Sequence, residues 1–215
     1  MPEWDTLWID GNVATMAPQT DGCGQLIDAA VAVSGSQIAW VGPRAELPGH
    51  PDRLATTVVS LHGGWLTPGL IDAHTHLVFA GDRVDEFRQR QQGASYEDIA
   101  RAGGGVQSTV SATRAADAMQ LLSSASRRAR LMLERGVTTL EIKSGYGLNL
   151  ETERRMLQTA RALEQKLPLS VCSTFLGAHA LPDEFAGRAD DYIDCVCDEM
   201  MPALAAEGLV DAVDA

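Results

Sequence analysis

Two histidines one residue apart are the strongest chemical signal in the chain. They are His74 and His76, at the end of a short apolar run that begins at Leu70, directly after the turn-prone segment 67–69. Side chains on a strand alternate between its two faces, so residues i and i+2 point the same way. Two neutral imidazoles side by side supply half of a transition-metal site. The spacing therefore predicts two metal ligands at the carboxyl end of a buried strand.

The composition is typical of a soluble globular protein. Of the 215 residues, 45% are hydrophobic and 21% are charged, and the net charge is -12, which disfavours a phosphate-binding surface. The densest cationic cluster, residues 127–130, falls within a helical pattern and is interpreted as a solvated face. No run approaches the ~20 apolar residues of a membrane span. The start lacks the features of a secretory signal, and the four cysteines form no Cys-x-x-Cys motif. We expect a cytoplasmic protein that binds neither nucleic acid nor a membrane.

The beginning of the chain indicates a small β-rich domain. Short β-branched or aromatic runs are separated there by Gly, Pro, Asp and Ser, which is typical of strands and turns. Residues 31–42 fit one hairpin around Gly35 and Ser36. We predict a mostly antiparallel, sandwich-like domain over residues 1–62.

From residue 63 onward, strands and helices are predicted to alternate. The predicted elements are a short strand at Leu70-Ile71, a helix over Ser108–Arg135, a strand over Val137–Ile142, a helix after Asn149, a strand over Pro168–Thr174 and a helix over Asp190–Glu207. Strands that alternate with helices of this length form βαβ units and a parallel sheet.

The number of these units defines the expected fold class. Residues 208–215 begin like one more strand, so three to four β/α units are present, whereas a full eight-unit barrel needs ~250 residues. An open sheet is one alternative. We favour an α/β fold in which residues 63–215 form the first three to four β/α units of a TIM-like (β/α)8 barrel, after the small β-rich domain.

Polar residues follow each predicted strand at its carboxyl end. Arg83 comes soon after the paired histidines, Tyr146 lies in the glycine-rich segment 143–147, and His179 follows the third strand. In parallel α/β folds the carboxyl ends of the strands form the active-site face. We therefore expect these side chains to share one rim with His74 and His76.

Four motifs in this order carry a family resemblance. They are His74-Thr75-His76-Leu77-Val78-Phe79-Ala80-Gly81-Asp82-Arg83, Gly103-Gly104-Gly105-Val106, Glu141-Ile142-Lys143-Ser144-Gly145-Tyr146-Gly147-Leu148 and Thr174-Phe175-Leu176-Gly177-Ala178-His179-Ala180. Together they resemble imidazolonepropionase, a member of the metal-dependent amidohydrolase superfamily. The resemblance covers the whole chain but only about the first half of the usual family length. The family's later metal ligands, a His and an Asp on downstream strands, have no match here.

The resemblance implies a hydrolase of histidine degradation that opens the imidazolone ring of 4-imidazolone-5-propanoate and gives N-formimidoyl-L-glutamate. It implies that His74 and His76 bind one Zn²⁺ or Fe³⁺ per full-length chain, while Arg83, Tyr146 and His179 contact the small-molecule substrate, with His179 also catalytic. Such an ion lowers the pKa of bound water to ~7 and polarises a carbonyl. The guanidinium of Arg83 can bind a propanoate through two parallel hydrogen bonds. The chain alone is expected to be inactive or nearly so.

Several alternatives stay open. The chain could act on another cyclic amide, or on a purine-like ring as an aminohydrolase. It could also be a non-catalytic half-barrel that pairs through its open sheet edges, and a homodimer is possible.

Three residue assignments also have alternatives. Lys143 is either carbamylated as a metal bridge or, as we favour, an ammonium paired with Glu141 or Glu153. Tyr96 either lines the pocket or packs at a helix start, and residues 103–105 are interpreted as a loop near the substrate rather than a phosphate cradle.

Overall fold

The computed structural model describes residues 3–18, 21–101 and 104–215. Gly103 and the side chain of Tyr96, both named above, lie outside this description. The chain forms two compact units, Met1–Pro68 and Gly69–Ala215. None of the helices in the described ranges is both long and apolar enough to span a membrane.

The first unit is built on one mixed β-sheet. Its elements are β1 (Trp4–Ala14), β2 (Gln25–Ser34), β3 (Gln37–Pro43), a short helix α1 (Pro51–Leu54), β4 (Ala55–Ser60) and β5 (Trp65–Leu66). The strand order is β3-β2-β1-β4, and β5 also pairs with β1. The β2–β3 hairpin turns at Gly35 and Ser36, as predicted, with Ser34 opposite Gln37.

The sheet of this unit is less antiparallel than the sequence predicted. The β1–β2 and β2–β3 pairs are antiparallel, but β4 and β5 run parallel to β1. The physical reason is the connection after β3: α1 carries the chain back across the unit, so β4 starts in the same direction as β1. Trp4, Leu7 and Ile9 of β1 are buried in the unit's core.

The second unit is a parallel α/β structure. Its main elements are β6 (Leu70–Thr75), α2 (Val84–Gln91), α3 (Tyr96–Arg101), α4 (Val106–Ala115), α5 (Ala118–Leu133), β7 (Val137–Lys143), α6 (Leu150–Lys166), β8 (Ser170–Phe175), α7 (Ala189–Asp194), α8 (Met201–Ala206) and β9 (Ala212–Val213). The sheet order is β6-β7-β8-β9, and every neighbouring pair is parallel. This arrangement confirms the predicted fold class, a partial barrel that follows a β-rich region.

The core of the second unit lies on the helix-facing side of the sheet. Leu140 and Ile142 of β7 are fully buried there against small residues of α5 and apolar residues of α6. Ala125 and Ala129 of α5 let the helix approach the sheet closely, which explains the small residues on that helix face. The opposite face of the sheet is thereby left for the polar residues of β7.

The long helix predicted over 108–135 is wrong in one respect, because the structure divides it into α4 and α5. The break falls at Ala116 and Asp117. The Asp117 side chain accepts a hydrogen bond from the amide of Gln120, and the Gln120 side chain accepts one from the amide of Asp117. This capping box starts a new helix, and the hydrophobic period alone did not reveal it.

The helix predicted over 190–207 contains an irregular centre. Residues 189–206 are helical throughout, but Cys195–Met200 is a π-helical segment between α7 and α8. Pro202 lies just after this segment. Because proline has no amide hydrogen, it cannot donate to a carbonyl one turn earlier, and the helix hydrogen bonds change register around it.

The strand at Leu70-Ile71 exists, but the prediction that it is buried is wrong. Leu70 is 56% exposed and Ile71 is 71% exposed. The reason is the position of β6 at one edge of the described sheet, with β7 as its only strand neighbour there. An apolar run indicates burial only if both sides of the strand are covered.

Candidate active site

A β-bulge in β6 sets the direction of the two histidines. Asp72 pairs with Leu140 and Thr75 pairs with Ile142, so three steps along β6 match two along β7. Leu140 and Ile142 face the helices, and Thr75 shares their side of the sheet. His74 and His76, the neighbours of Thr75, therefore lie on the opposite side. A bulge that re-aims side chains beside a site is a recurring device.

Four aromatic rings meet at this carboxyl edge. The ring centroids of His74 and His76 are 5.5 Å apart, and those of His76 and His179 are 5.1 Å apart and stacked. Tyr146 lies 5.5 Å from His76 and 5.3 Å from His179. The three parallel strands β6, β7 and β8 thus bring four of the five predicted site residues into one cluster.

Arg83 lies in an adjoining cavity rather than in the ring cluster. The cavity has a volume of about 460 Å³ and is lined by Phe79, Gly81, Asp82, Arg83, Thr109, Ser124, Arg127, Arg128 and Tyr146. Nε of Arg83 donates to the Thr109 hydroxyl at 3.0 Å. None of the three site histidines lines this cavity. Tyr146 belongs to both features and connects them.

Arg128 departs from the solvated face predicted for residues 127–130, whereas Arg127 and Arg130 are exposed as predicted. Its Nη1 donates to the carbonyl oxygens of Leu77 at 2.9 Å and Phe79 at 3.1 Å. The guanidinium carbon also lies 3.6 Å from the centre of the Phe79 ring. Burial, with a smaller contribution from the neighbouring Arg127, lowers the pKa of this guanidinium. The segment that follows His76 is therefore held by a helix residue that periodicity assigned to solvent.

Glu153 holds the loop that carries Tyr146. Its carboxylate is fully buried and accepts hydrogen bonds from the amides of Gly145 at 2.9 Å, Gly147 at 2.7 Å and Leu148 at 2.8 Å. The sequence analysis considered Glu153 as a possible ion-pair partner of Lys143 and did not predict this contact with the loop. The available signal was a glycine-rich loop followed within eight residues by an acidic side chain near a helix start.

The loops after β7 and β8 are joined by hydrogen bonds. The Ser144 hydroxyl accepts from the amide of Leu176 at 3.1 Å. Nδ1 of His179 lies 3.1 Å from the carbonyl oxygen of Gly145, and His179 itself ends a single 3₁₀ turn over Gly177–His179. These contacts fix His179 against the Tyr146 loop.

Lys143 forms a buried ion cluster next to the rings. Its Nζ lies 2.8 Å from an oxygen of Glu141 and 2.9 Å from an oxygen of Asp214, and its side chain is 8% exposed. Hydrogen bonds to Glu141, first, and to Asp214 raise the pKa of Lys143. This confirms the predicted ammonium paired with Glu141. Glu153 is not its partner.

The electrostatics of His76 favour the neutral imidazole. Its Nδ1 is buried and has no hydrogen-bond partner within the described ranges. Burial, followed by the neighbouring His179 and His74, lowers the pKa of His76. A neutral imidazole is the form that coordinates metals. No group of three or more His, Cys, Asp or Glu side chains that could hold a metal occurs among the described residues.

Solved structures show which class of protein has this fold. The chain resembles an ochratoxinase of A. niger with a TM-score of 0.55 and 21% identity, over 86% of this chain and 37% of that one. It also resembles a mutant atrazine chlorohydrolase from Arthrobacter aurescens complexed with zinc and atraton, with a TM-score of 0.51 and 18% identity, over 80% of this chain and 35% of that one. The chain therefore has the fold of about a third of each of these two structures.

Sequence relatives give a more specific comparison than the solved structures do. No family model matches the chain. The imidazolonepropionase of Shewanella frigidimarina is 57% identical over 212 residues, which are 98% of this chain and 52% of the relative. An imidazolonepropionase of Pseudomonas putida is 59% identical over 98% of this chain and 51% of its own length. The resemblance to imidazolonepropionases is confirmed, and the chain spans about half the length of the curated relatives it matches.

We predict that Gly145→Ala destabilises the protein more than Gly187→Ala does. Both glycines have positive φ, 103° and 75°, and such strain costs of order 1–3 kcal/mol. A Cβ at position 145 would also meet the Leu176 carbonyl oxygen at 2.7 Å, whereas one at position 187 meets nothing within 4 Å. Chemical denaturation measures both free energies of unfolding. Equal losses would contradict the close packing of the two loops.

A second prediction concerns the buried ion cluster. Lys143→Met leaves Glu141, whose side chain is 14% exposed, without its cation and should lower the free energy of unfolding by roughly 3–5 kcal/mol. The matched control is Arg88→Met, which breaks the exposed pair with Asp85 and should change the free energy of unfolding by at most about 1 kcal/mol. Urea denaturation of both variants gives the comparison, and similar small effects would contradict a stabilising role for Lys143.

Proposed function

We propose that the protein that carries this chain hydrolyses the imidazolone ring of 4-imidazolone-5-propanoate to N-formimidoyl-L-glutamate. The observation that carries the proposal is the gathering of four rings, those of His74, His76, Tyr146 and His179, with neighbouring centroids 5.1–5.5 Å apart. Relatives named imidazolonepropionase, 57–59% identical over nearly the whole chain, support the substrate and the reaction. Tyr146 lines the same cavity as Arg83, which supports a single binding region that includes the cavity and the four rings.

His74 and His76 would hold the metal ion. Nδ1 of His76 is buried and has no hydrogen-bond partner among the described residues. This fits an imidazole that binds a non-protein ligand such as a metal ion. Catalytic zinc sites use three or more protein ligands, so further ligands would have to join these two. Zinc in the atrazine chlorohydrolase of the same fold supports a metal, with Zn²⁺ and Fe³⁺ as the candidates. When bound, such an ion supplies Lewis acidity and an activated water.

Arg83 would bind the propanoate carboxylate of the substrate. Its Nε is engaged by Thr109, which fixes the plane of the guanidinium and leaves the two terminal nitrogens for a carboxylate. The cavity of about 460 Å³ lies within the usual range for small-molecule sites. Arg127 and Arg128 line the same cavity and add positive charge to a chain whose net charge is -12.

Tyr146 and His179 would hold the substrate between Arg83 and the paired histidines. The Tyr146 phenol can donate or accept a hydrogen bond, and its ring borders both the cavity and the histidine cluster. His179 stacks on His76 and offers a ring nitrogen to the substrate. A compact molecule with a carboxylate at one end and a hydrolysable ring at the other matches this order of groups.

The role of Arg83 is tested by Arg83→Ala in the enzyme that carries this chain. Loss of a charged hydrogen bond costs about 1.5–3 kcal/mol, so KM for imidazolone propanoate should rise roughly 10- to 150-fold. The control is Arg90→Ala, an exposed residue of α2 outside the cavity, which should leave KM unchanged. An unaltered KM in Arg83→Ala would remove this residue from carboxylate binding.

Metal binding is tested by titrating Zn²⁺ into the purified chain and its variants by isothermal calorimetry. His74→Ala and His76→Ala should each weaken zinc binding at least tenfold, because a single imidazole is a poor site for a divalent ion. His62→Ala, in the first unit and exposed, is the control and should bind zinc like the parent chain. Binding that survives both site substitutions would place the metal elsewhere.

A further inference from the structure

We propose that Glu153 is a positioning residue that determines, through the peptide groups of Gly145, which ring nitrogen of His179 is available to a ligand. The inference rests on the proposed function in one respect only, because that function places His179 in the substrate site. Its physical basis is a chain of two hydrogen bonds, from the buried carboxylate to the loop and from the loop to the ring.

The first link is the grip of Glu153 on the backbone. The carboxylate has no exposed surface, and no ion pair joins it to a cation in the described part of the chain. Its partners are instead three amides of the Tyr146 loop, with Oε2 assigned to Gly145 alone and Oε1 shared by Gly147 and Leu148. Burying a carboxylate is costly unless hydrogen-bond donors replace its hydration. The loop amides supply these donors, so the loop and Glu153 hold each other in position.

The second link passes from Gly145 to His179. The Gly145 carbonyl oxygen lies 3.1 Å from Nδ1 of the ring. A carbonyl oxygen can only accept, so Nδ1 must be the donor and carries the proton. Nε2 is then the ring nitrogen that the fold leaves unused in the described structure, and in the neutral ring it is a hydrogen-bond acceptor.

Glycine at position 145 makes this approach geometrically feasible. Its φ of 103° lies in the region that disfavours side chains. A Cβ there would come within 3.0 Å of Nδ1 of His179 and 2.7 Å of the Leu176 carbonyl oxygen. The connection from Glu153 to His179 therefore depends on a single glycine. Its amide donates to Glu153, and its carbonyl oxygen accepts from His179.

Nitrogen-15 NMR of histidine-labelled protein tests the proposal, because the ring nitrogen shifts of a neutral imidazole report which nitrogen carries the proton. The chain has five histidines, and loss of one signal set in His179→Gln assigns the ring. In the parent chain under mildly alkaline conditions, where imidazoles are neutral, we expect the His179 proton on Nδ1. A proton on Nε2 would overturn the proposal without any variant.

Glu153→Gln then tests the coupling. The amide replaces one acceptor oxygen with a donor that faces backbone N–H groups, so the loop should shift and His179 should show a mixture of both tautomers. Glu151→Gln, in the same first turn of α6 but with a side chain that is 83% exposed, should keep the single tautomer. A folded Glu153→Gln protein with His179 unchanged would overturn the role of Glu153.

If Glu153→Gln fails to fold, Glu153→Asp takes its place. It keeps the carboxylate but shortens its reach by one methylene, so mixed tautomers are again expected and an unchanged single tautomer overturns the proposal. The readout needs neither metal nor substrate. Failure of imidazolone hydrolysis would therefore leave the tautomer result standing, and an unexpected tautomer would leave the proposed reaction untouched.

Discussion

Parallel pairing of β6, β7 and β8 is the constraint on which the candidate site depends. Parallel strands end at the same edge of a sheet, so residues 70 and 33 positions apart in sequence, His76 with Tyr146 and Tyr146 with His179, come within 5.3–5.5 Å. The register is held from the other face by the apolar contacts of β7 with α5 and α6. One bulge in β6 then turns both paired histidines to the polar face.

Charged side chains fix the loops at this edge, and each does so through backbone groups or a buried ion pair. Glu153 accepts from three amides, and Arg128 donates to two carbonyl oxygens. Lys143 pairs with Glu141 on its own strand β7 and with Asp214 just after β9, so the second pair joins the ends of these two strands. Burying a charge is costly unless such partners replace water. The charges therefore stabilise one arrangement of these loops, which keeps the four rings close together.

The site and the length of the chain relative to its relatives fit together. The imidazolonepropionases that the chain matches are about twice as long as the chain, and the two histidines proposed as ligands are fewer than the three or more protein ligands of a catalytic zinc site. The groups proposed for substrate binding, Arg83, Tyr146 and His179, are all present. In the proposed enzyme this chain would therefore contribute these three substrate-binding residues and two of the metal ligands.

The sequence alone determined the hairpin at Gly35, the alternation of strands and helices that makes a parallel sheet and the residues at the strand ends, because these depend on local period and turn chemistry. Only the tertiary structure decided what each residue meets. Ile71 is exposed because β6 lies at an edge of the sheet. Arg128 is half-buried because it donates to carbonyl oxygens 49 and 51 residues away. Glu153 accepts its hydrogen bonds because the loop brings three amides to its carboxylate. A hydrophobic period records which face is apolar, but it does not record which partner covers that face.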